Sequence, residues 1–338
     1  MKLLSYLHNR KECLGFICQD KVFSLRSVNG KLPVTMDAFL RDWEHYLPMA
    51  RDAERHIHTY PVLQATGFWL DQVQLLAPVP RPASCRDGYA FREHAVAFRK
   101  NSGLSMIPEF EAYPVFHFGN HQSIFGPGVI SCMPDHFDKL DFELQAAIVI
   151  CKKGRNIAAR HADEYIGGLM IMNDFCARRL QSEEMVLNLG PAKGKDFATS
   201  LGPFLVTPEE LKSFEVPCKE NHVGRSWNLR MRCLLNGRQV SDGNLADMEW
   251  TFAEIIERAS YGTDLYPGDI IGSGAVGTGC LMELNVNSGS DNFDFKERWL
   301  DPGDEITLCV EELGELKNIL AKTDDPFSIL MQKKNQMP

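Results

Sequence analysis

No stretch of this 338-residue chain comes near the roughly 20 consecutive apolar residues that a membrane helix requires, so a membrane-spanning protein is not expected. Basic residues are in the minority, with 36 Lys and Arg against 45 Asp and Glu for a formal charge of -9, and they form no cluster. A nucleic-acid surface, which needs concentrated Lys and Arg to hold phosphates, is therefore not expected either. The ten cysteines include no CxxC pair, and Cys151 and Cys233 fall inside apparent strands, which points to reduced core thiols rather than a disulfide framework. The opening Met1-Lys2-Leu3-Leu4-Ser5-Tyr6 is interrupted by His8-Asn9-Arg10 too soon for a secretory signal, and the expected compartment is the cytoplasm. Internal repeats and low-complexity tracts are also missing. What remains is an ordinary globular composition, 44% hydrophobic and 24% charged, long enough for two domains.

The division is expected near residue 80, where Pro78-Val79-Pro80-Arg81-Pro82 favours extended backbone. Before it, short apolar runs such as Leu14 to Cys18 and a helix-like stretch from Met36 to about His56 predict a small α+β unit, residues 1–80. After it, residues 81–338 are dominated by strands and glycine-rich turns. Helices are expected over Arg86 to Arg99, Phe175 to Met185 and Met248 to Ala259, and a hairpin is expected at Asn236-Gly237. The tail, residues 332–336, is expected to be mobile.

Three acidic stations stand in order along the middle of the chain: Asp87 with His94, then Asp141-Phe142-Glu143-Leu144-Gln145, then Asp174. In a strand, side chains two apart share a face, so Asp141, Glu143 and Gln145 are placed together with Leu140, Phe142 and Leu144 opposite. Oxygen donors so spaced suit a hard divalent cation. The plain alternatives are a wet acidic strand face and, for Asp174, a helix cap. The pair His56-Ile57-His58 lacks a third ligand at useful spacing, and zinc is set aside.

Five segments, in order and spacing, resemble the fumarylacetoacetate hydrolase family: Arg86 to His94, Leu140 to Gln145, Gly168 to Arg178, Gly194 to Ser200, and Pro267 to Leu284. The resemblance implies an α+β fold with a mixed β-roll catalytic domain, a small N-terminal domain and a homodimer. It implies a hydrolase that cleaves a carbon-carbon bond in a β-diketo or acylpyruvate-like keto acid, with decarboxylases, isomerases and tautomerases as relatives and a degenerate ligand-binding member as a further alternative. It also assigns roles. Asp87, Glu143, Asp174 and the residue at 145 would hold Mg²⁺ or Ca²⁺, with Mn²⁺ possible; His94 would be the base, Glu283 its orienting carboxylate, and Lys195 a charge partner for substrate. Tyr89 and Gln181 would contact substrate.

Three positions depart from the family pattern. Gln145 stands where a second glutamate is usual and adds no formal charge, Ala275 replaces a threonine, and Met185 replaces a polar aromatic. Thr278 is a nearby candidate to replace the lost hydroxyl, and His117 and His121 are candidate pocket contacts.

Overall fold

The structure, a computed structural model, describes residues 1–101, 103–289 and 296–332; the expected mobile tail, beyond Gln332, lies outside them. Two large sheets carry a mixed α+β architecture, and neither closes into a barrel. The larger has 12 strands. Its spine runs, in spatial order, through Lys2–His8, Thr199–Val206, Ile166–Asp174, Leu144–Ile150, Asp269–Gly272, Ser84–Gly88 and Phe116–Gly119. Most neighbours are antiparallel, but Asp269–Gly272 runs parallel to Ser84–Gly88, which makes the sheet mixed. The N-terminal strands extend the same sheet, because Lys2 and Leu3 pair with Val206 and Leu205.

The central strands Leu144–Ile150, Ile166–Asp174 and Thr199–Val206 are buried along their whole length. Burial on both faces explains why they read as continuous apolar runs rather than as an alternation. One side packs Leu144, Ala146, Ile148, Leu169 and Ile171 into the main core, and the other packs Ala147, Val149, Met170 and Met172 against the N-terminal helices. The second sheet has five strands in the order Arg238–Asn244, Arg230–Leu235, Glu305–Val310, Gly314–Lys322 and Gly128–Cys132. Its first hairpin turns at Asn236 and Gly237, both at positive φ (52° and 76°), as expected for that dipeptide.

Several helices differ from the sequence expectation. The Arg86 to Arg99 helix is a strand, Ser84–Gly88, followed by a helix, Arg92–Asn101; pairing with Asp269–Gly272 and Phe116–Gly119 on both sides outweighs local helical periodicity. The Met36 to His56 stretch is two helices, Met36–Arg41 and Trp43–Thr59, separated at Asp42. Phe175 does not begin a helix, because Cys176–Ala177 pairs with Leu140–Asp141 and the helix is Arg178–Met185. The late helix is Phe252–Ser260, opened by a Thr251/Glu254 capping box. All ten cysteines are free thiols, and none of the described helices is long and apolar enough to cross a membrane.

Candidate active site

Strand register gathers the acidic stations at one end of the spine. Asp87 lies opposite Gly272 on one side and His117 on the other, and Asp174 pairs with Thr199. Glu143 falls between the strands Leu140–Asp141 and Leu144–Ile150, so the single strand expected over Leu140 to Gln145 is interrupted at the site itself. Asp87, Glu143 and Asp174 are all buried and face one another.

A lysine binds this cluster together. Lys195 Nζ lies 2.6 Å from Glu143 Oε2, 2.7 Å from Asp174 Oδ2 and 4.0 Å from Asp87 Oδ2. Its own burial is outweighed by the carboxylates, which hold its pKa well above the usual lysine value. Arg178 completes the arrangement, with Nε 2.9 Å from Asp141 Oδ2 and Nη2 2.9 Å from Glu143 Oε1. Burial works to raise the Glu143 pKa, but Lys195 and Arg178 more than reverse it and hold the group ionised. Asp87 has no such close partner, and burial together with Asp174 raises its pKa well above the carboxylate range.

Gln145 is oriented otherwise than a ligand would be. Its Nε2 donates to Asp87 Oδ2 and Glu143 Oε2, 3.0 Å each, while Oε1 accepts from the Gly274 N–H at 3.1 Å. The reverse orientation would set an acceptor oxygen against the oxygens of Asp87 and Glu143 and two donors, the amide NH₂ and the Gly274 N–H, against each other. Gly274 reaches this position at φ +81°, and a Cβ there would meet Gly88 O at 2.6 Å. The expected fourth oxygen ligand is thus a hydrogen-bond donor. Asp141 does not compensate, since its two oxygens are taken by Arg178 and by the N–H groups of Phe142, Leu281 and Met282. Asp174 caps no helix; it accepts from Lys195 and Thr199.

His117, a candidate pocket contact, sits on the strand Phe116–Gly119, with Nε2 4.0 Å from Asp174 Oδ2. That nitrogen is buried and has no hydrogen-bond partner. Burial, reinforced by Lys195, lowers its pKa and favours the neutral ring with a free lone pair. One ligand atom each from Asp87, His117 and Asp174 lies within 4.8 Å of the others. Two carboxylates and an orphaned imidazole nitrogen fit a divalent metal ion. The alternating Phe116-His117-Phe118 run was the available sequence signal; His121 is exposed and outside the cluster.

His94 stands beside this cluster on the helix Arg92–Asn101, with Nδ1 3.3 Å from Glu283 Oε2. Both side chains are buried, and Glu283 Oε1 is fixed by the Thr278 N–H at 2.8 Å. Thr278 itself turns to Ser241 and to the Asp242 carbonyl, so it does not replace the hydroxyl missing at Ala275. A cavity of about 280 Å³ is lined by Asp87, His94, His117, Glu143, Lys195 and Ala275, with Tyr89 and Gln181 at its side. Tyr89 packs edge-on to His94, Phe98 and Phe110. Gln181 Oε1 accepts from Arg178 Nη1 at 3.1 Å.

Residues 84–321 match the family model described as fumarylacetoacetate (FAA) hydrolase C-terminal. The chain belongs to this family. It is similar to a fumarylacetoacetase of Oryza sativa subsp. japonica, 30% identical over 249 residues, which are 64% of this chain and 54% of that one. The chain thus aligns with only about half the length of that relative. A human mitochondrial oxaloacetate tautomerase is 29% identical over 300 residues, 88% of this chain and 83% of the relative. The fold matches a maleylpyruvate hydrolase from Sphingobium solved with manganese(II) ion and pyruvate, with a TM-score of 0.66 at 19% identity, covering 96% of this chain and all of the other. Hydrolases and tautomerases thus share this enzyme family with the chain.

Proposed function

We propose that this protein is a metal-dependent hydrolase that cleaves a carbon-carbon bond in an acylpyruvate-like β-diketo acid. The observation that carries the proposal is the buried His94–Glu283 pair opening on the same cavity as the carboxylate cluster. A pair of this kind, with Nδ1 facing the carboxylate, leaves Nε2 free to take a proton from water. The water oxygen then adds to the acyl carbonyl, and the bond to the adjacent CH₂ breaks. Water and R–CO–CH₂–CO–COO⁻ become R–COO⁻, pyruvate and a proton. Lys195, whose ammonium reaches into the cluster, offsets negative charge on the departing fragment, and Tyr89 and Gln181 flank the substrate. Asp87, Asp174 and His117, with Glu143 beside them, would hold a divalent cation, which would supply Lewis-acid stabilisation of developing negative charge. Mg²⁺, Ca²⁺ and Mn²⁺ all accept such oxygen donors, and the imidazole favours Mn²⁺. A homodimer with a small keto acid as substrate belongs to the same proposal.

A second reading is supported by the tautomerase relative, which matches most of the chain. There the same residues would move a proton between carbon and oxygen without adding water. Acetylpyruvate turned over in ¹⁸O-water separates the two, since only hydrolysis places the heavy oxygen in a new carboxylate. His94→Ala should abolish that incorporation while Mn²⁺ affinity stays within a few-fold. Full turnover by the variant would remove the base assignment.

A further inference from the structure

Beside the 280 Å³ reaction pocket lies a second, larger chamber of about 640 Å³, and the two share Tyr89, Phe98, Val115, Arg178, Gln181 and Met185 as a common wall. Beyond that wall the chamber is walled chiefly by Leu104, Met106, Ile107, Phe110, Met282 and Trp299. Its charged side chains are largely engaged. Arg178 is held by Asp141 and Glu143, Lys139 lies 2.8 Å from Glu297, and Arg99 donates to the Ser105 carbonyl. The remaining carboxylate, Glu109, opposes a substrate anion rather than inviting one. A diacid with a charged distal end would surrender hydration there with only Arg99, already turned to the Ser105 carbonyl, to offset its charge against Glu109. An apolar arm would gain from leaving water.

We infer that the substrate is a keto acid whose acyl arm is uncharged and apolar, a longer alkyl or an aryl group, seated in this chamber while its dicarbonyl end occupies the reaction pocket. The inference rests on the proposed keto-acid chemistry but concerns the far end of the molecule. Met185 supports it, since a sulfur-bearing flexible side chain at the junction adapts to apolar shapes. A chamber of this size falls in the range of about 300–1,000 Å³ that encloses drug-sized apolar ligands.

The test is a kcat/KM series with acetyl-, butanoyl-, hexanoyl- and benzoylpyruvate, plus succinylpyruvate, whose arm ends in a carboxylate. Each methylene buried should raise kcat/KM about fourfold, and succinylpyruvate should fall below butanoylpyruvate. Leu104→Asp and Ile107→Asp, at positions 55% and 41% exposed and so tolerant of a polar group, should each cost the hexanoyl and benzoyl acids at least about tenfold more than acetylpyruvate. A flat series, or preference for succinylpyruvate, overturns the inference. Should none of the acids turn over, the catalytic proposal fails by itself, and the dissociation constants of the same acids decide the chamber: tighter binding with arm length upholds it, and equal or absent binding rejects it.

Discussion

Replacing Gln145 by glutamate tests the electrostatics of the cluster directly. Gln145→Glu exchanges a nitrogen that donates to Asp87 and Glu143, 3.0 Å from each, for an oxygen that can only accept. Two unit charges at that distance repel by about 5.5 kcal/mol for an effective dielectric of 20, and ionised Glu143 forms such a pair with the new carboxylate. The ion-free protein escapes by keeping a proton on the new carboxyl. That escape costs about 1.4 kcal/mol for each pH unit above a usual glutamate value near 4.3, so the loss at pH 7 is capped at about 4 kcal/mol. The sign follows from proton binding. The folded state holds a proton that the unfolded chain releases, so the penalty is absent below about pH 4 and grows as pH rises toward 7. A divalent cation bound by the ionised group removes the repulsion, which is equivalent to as much as about two to three orders of magnitude in apparent affinity at pH 7. Calorimetric Mn²⁺ titration, with urea unfolding in chelator at pH 5 and pH 7, measures both effects. Identical Mn²⁺ affinity together with unchanged ion-free stability would refute the placement of the Gln145 amide against the carboxylates.

Other expectations follow from neighbouring contacts. His117→Ala should weaken Mn²⁺ binding by at least about tenfold, the lower end of what even outer partners of a ligand command, with little change in ion-free Tm because Nε2 has no partner to lose; unaltered binding would dismiss it as a ligand. Asp141→Ala should cost roughly 3–5 kcal/mol of unfolding free energy, since it leaves buried Arg178 half-paired and three N–H groups without an acceptor; urea midpoints within error of the parent would contradict this. His136 is packed on Phe197, and burial, with Lys193, lowers its pKa from 6.5 to about 4. A lowered folded pKa means that the unfolded chain takes the proton first, so stability should fall by about 2.5 kcal/mol between pH 8 and pH 4.5 on this account. His136→Gln, which can still accept from the Met133 N–H, should flatten that part of the profile.

Much of this molecule was legible from residue order because its informative signals are local or ordered. The family resemblance brought Asp87, Glu143, Asp174, His94, Lys195 and Glu283 forward as one group, and Asn236-Gly237 marked its hairpin because only certain residues adopt positive φ cheaply. Period-two alternation placed Asp141 and Gln145 on a common face with Glu143, yet the strand is interrupted at Phe142 and Glu143, and Asp141 serves the N–H groups of Leu281 and Met282 instead. The Arg86 to Arg99 segment carried a helical stripe over its whole length, but strand partners distant in sequence claimed its first part.

Composition by itself determined an acidic chain, and residue order set its carboxylates, a histidine and a lysine in a succession that resembles an enzyme family, because side-chain chemistry and order are written in the polymer. Tertiary structure alone decided which way the Gln145 amide points, that His117 rather than a fourth oxygen stands free beside Asp87 and Asp174, and that an apolar chamber adjoins the reaction pocket. Each of those depends on partners more than fifty residues apart or on neighbouring strands, where the competition among donors, acceptors and burial is settled only once the sheet has assembled.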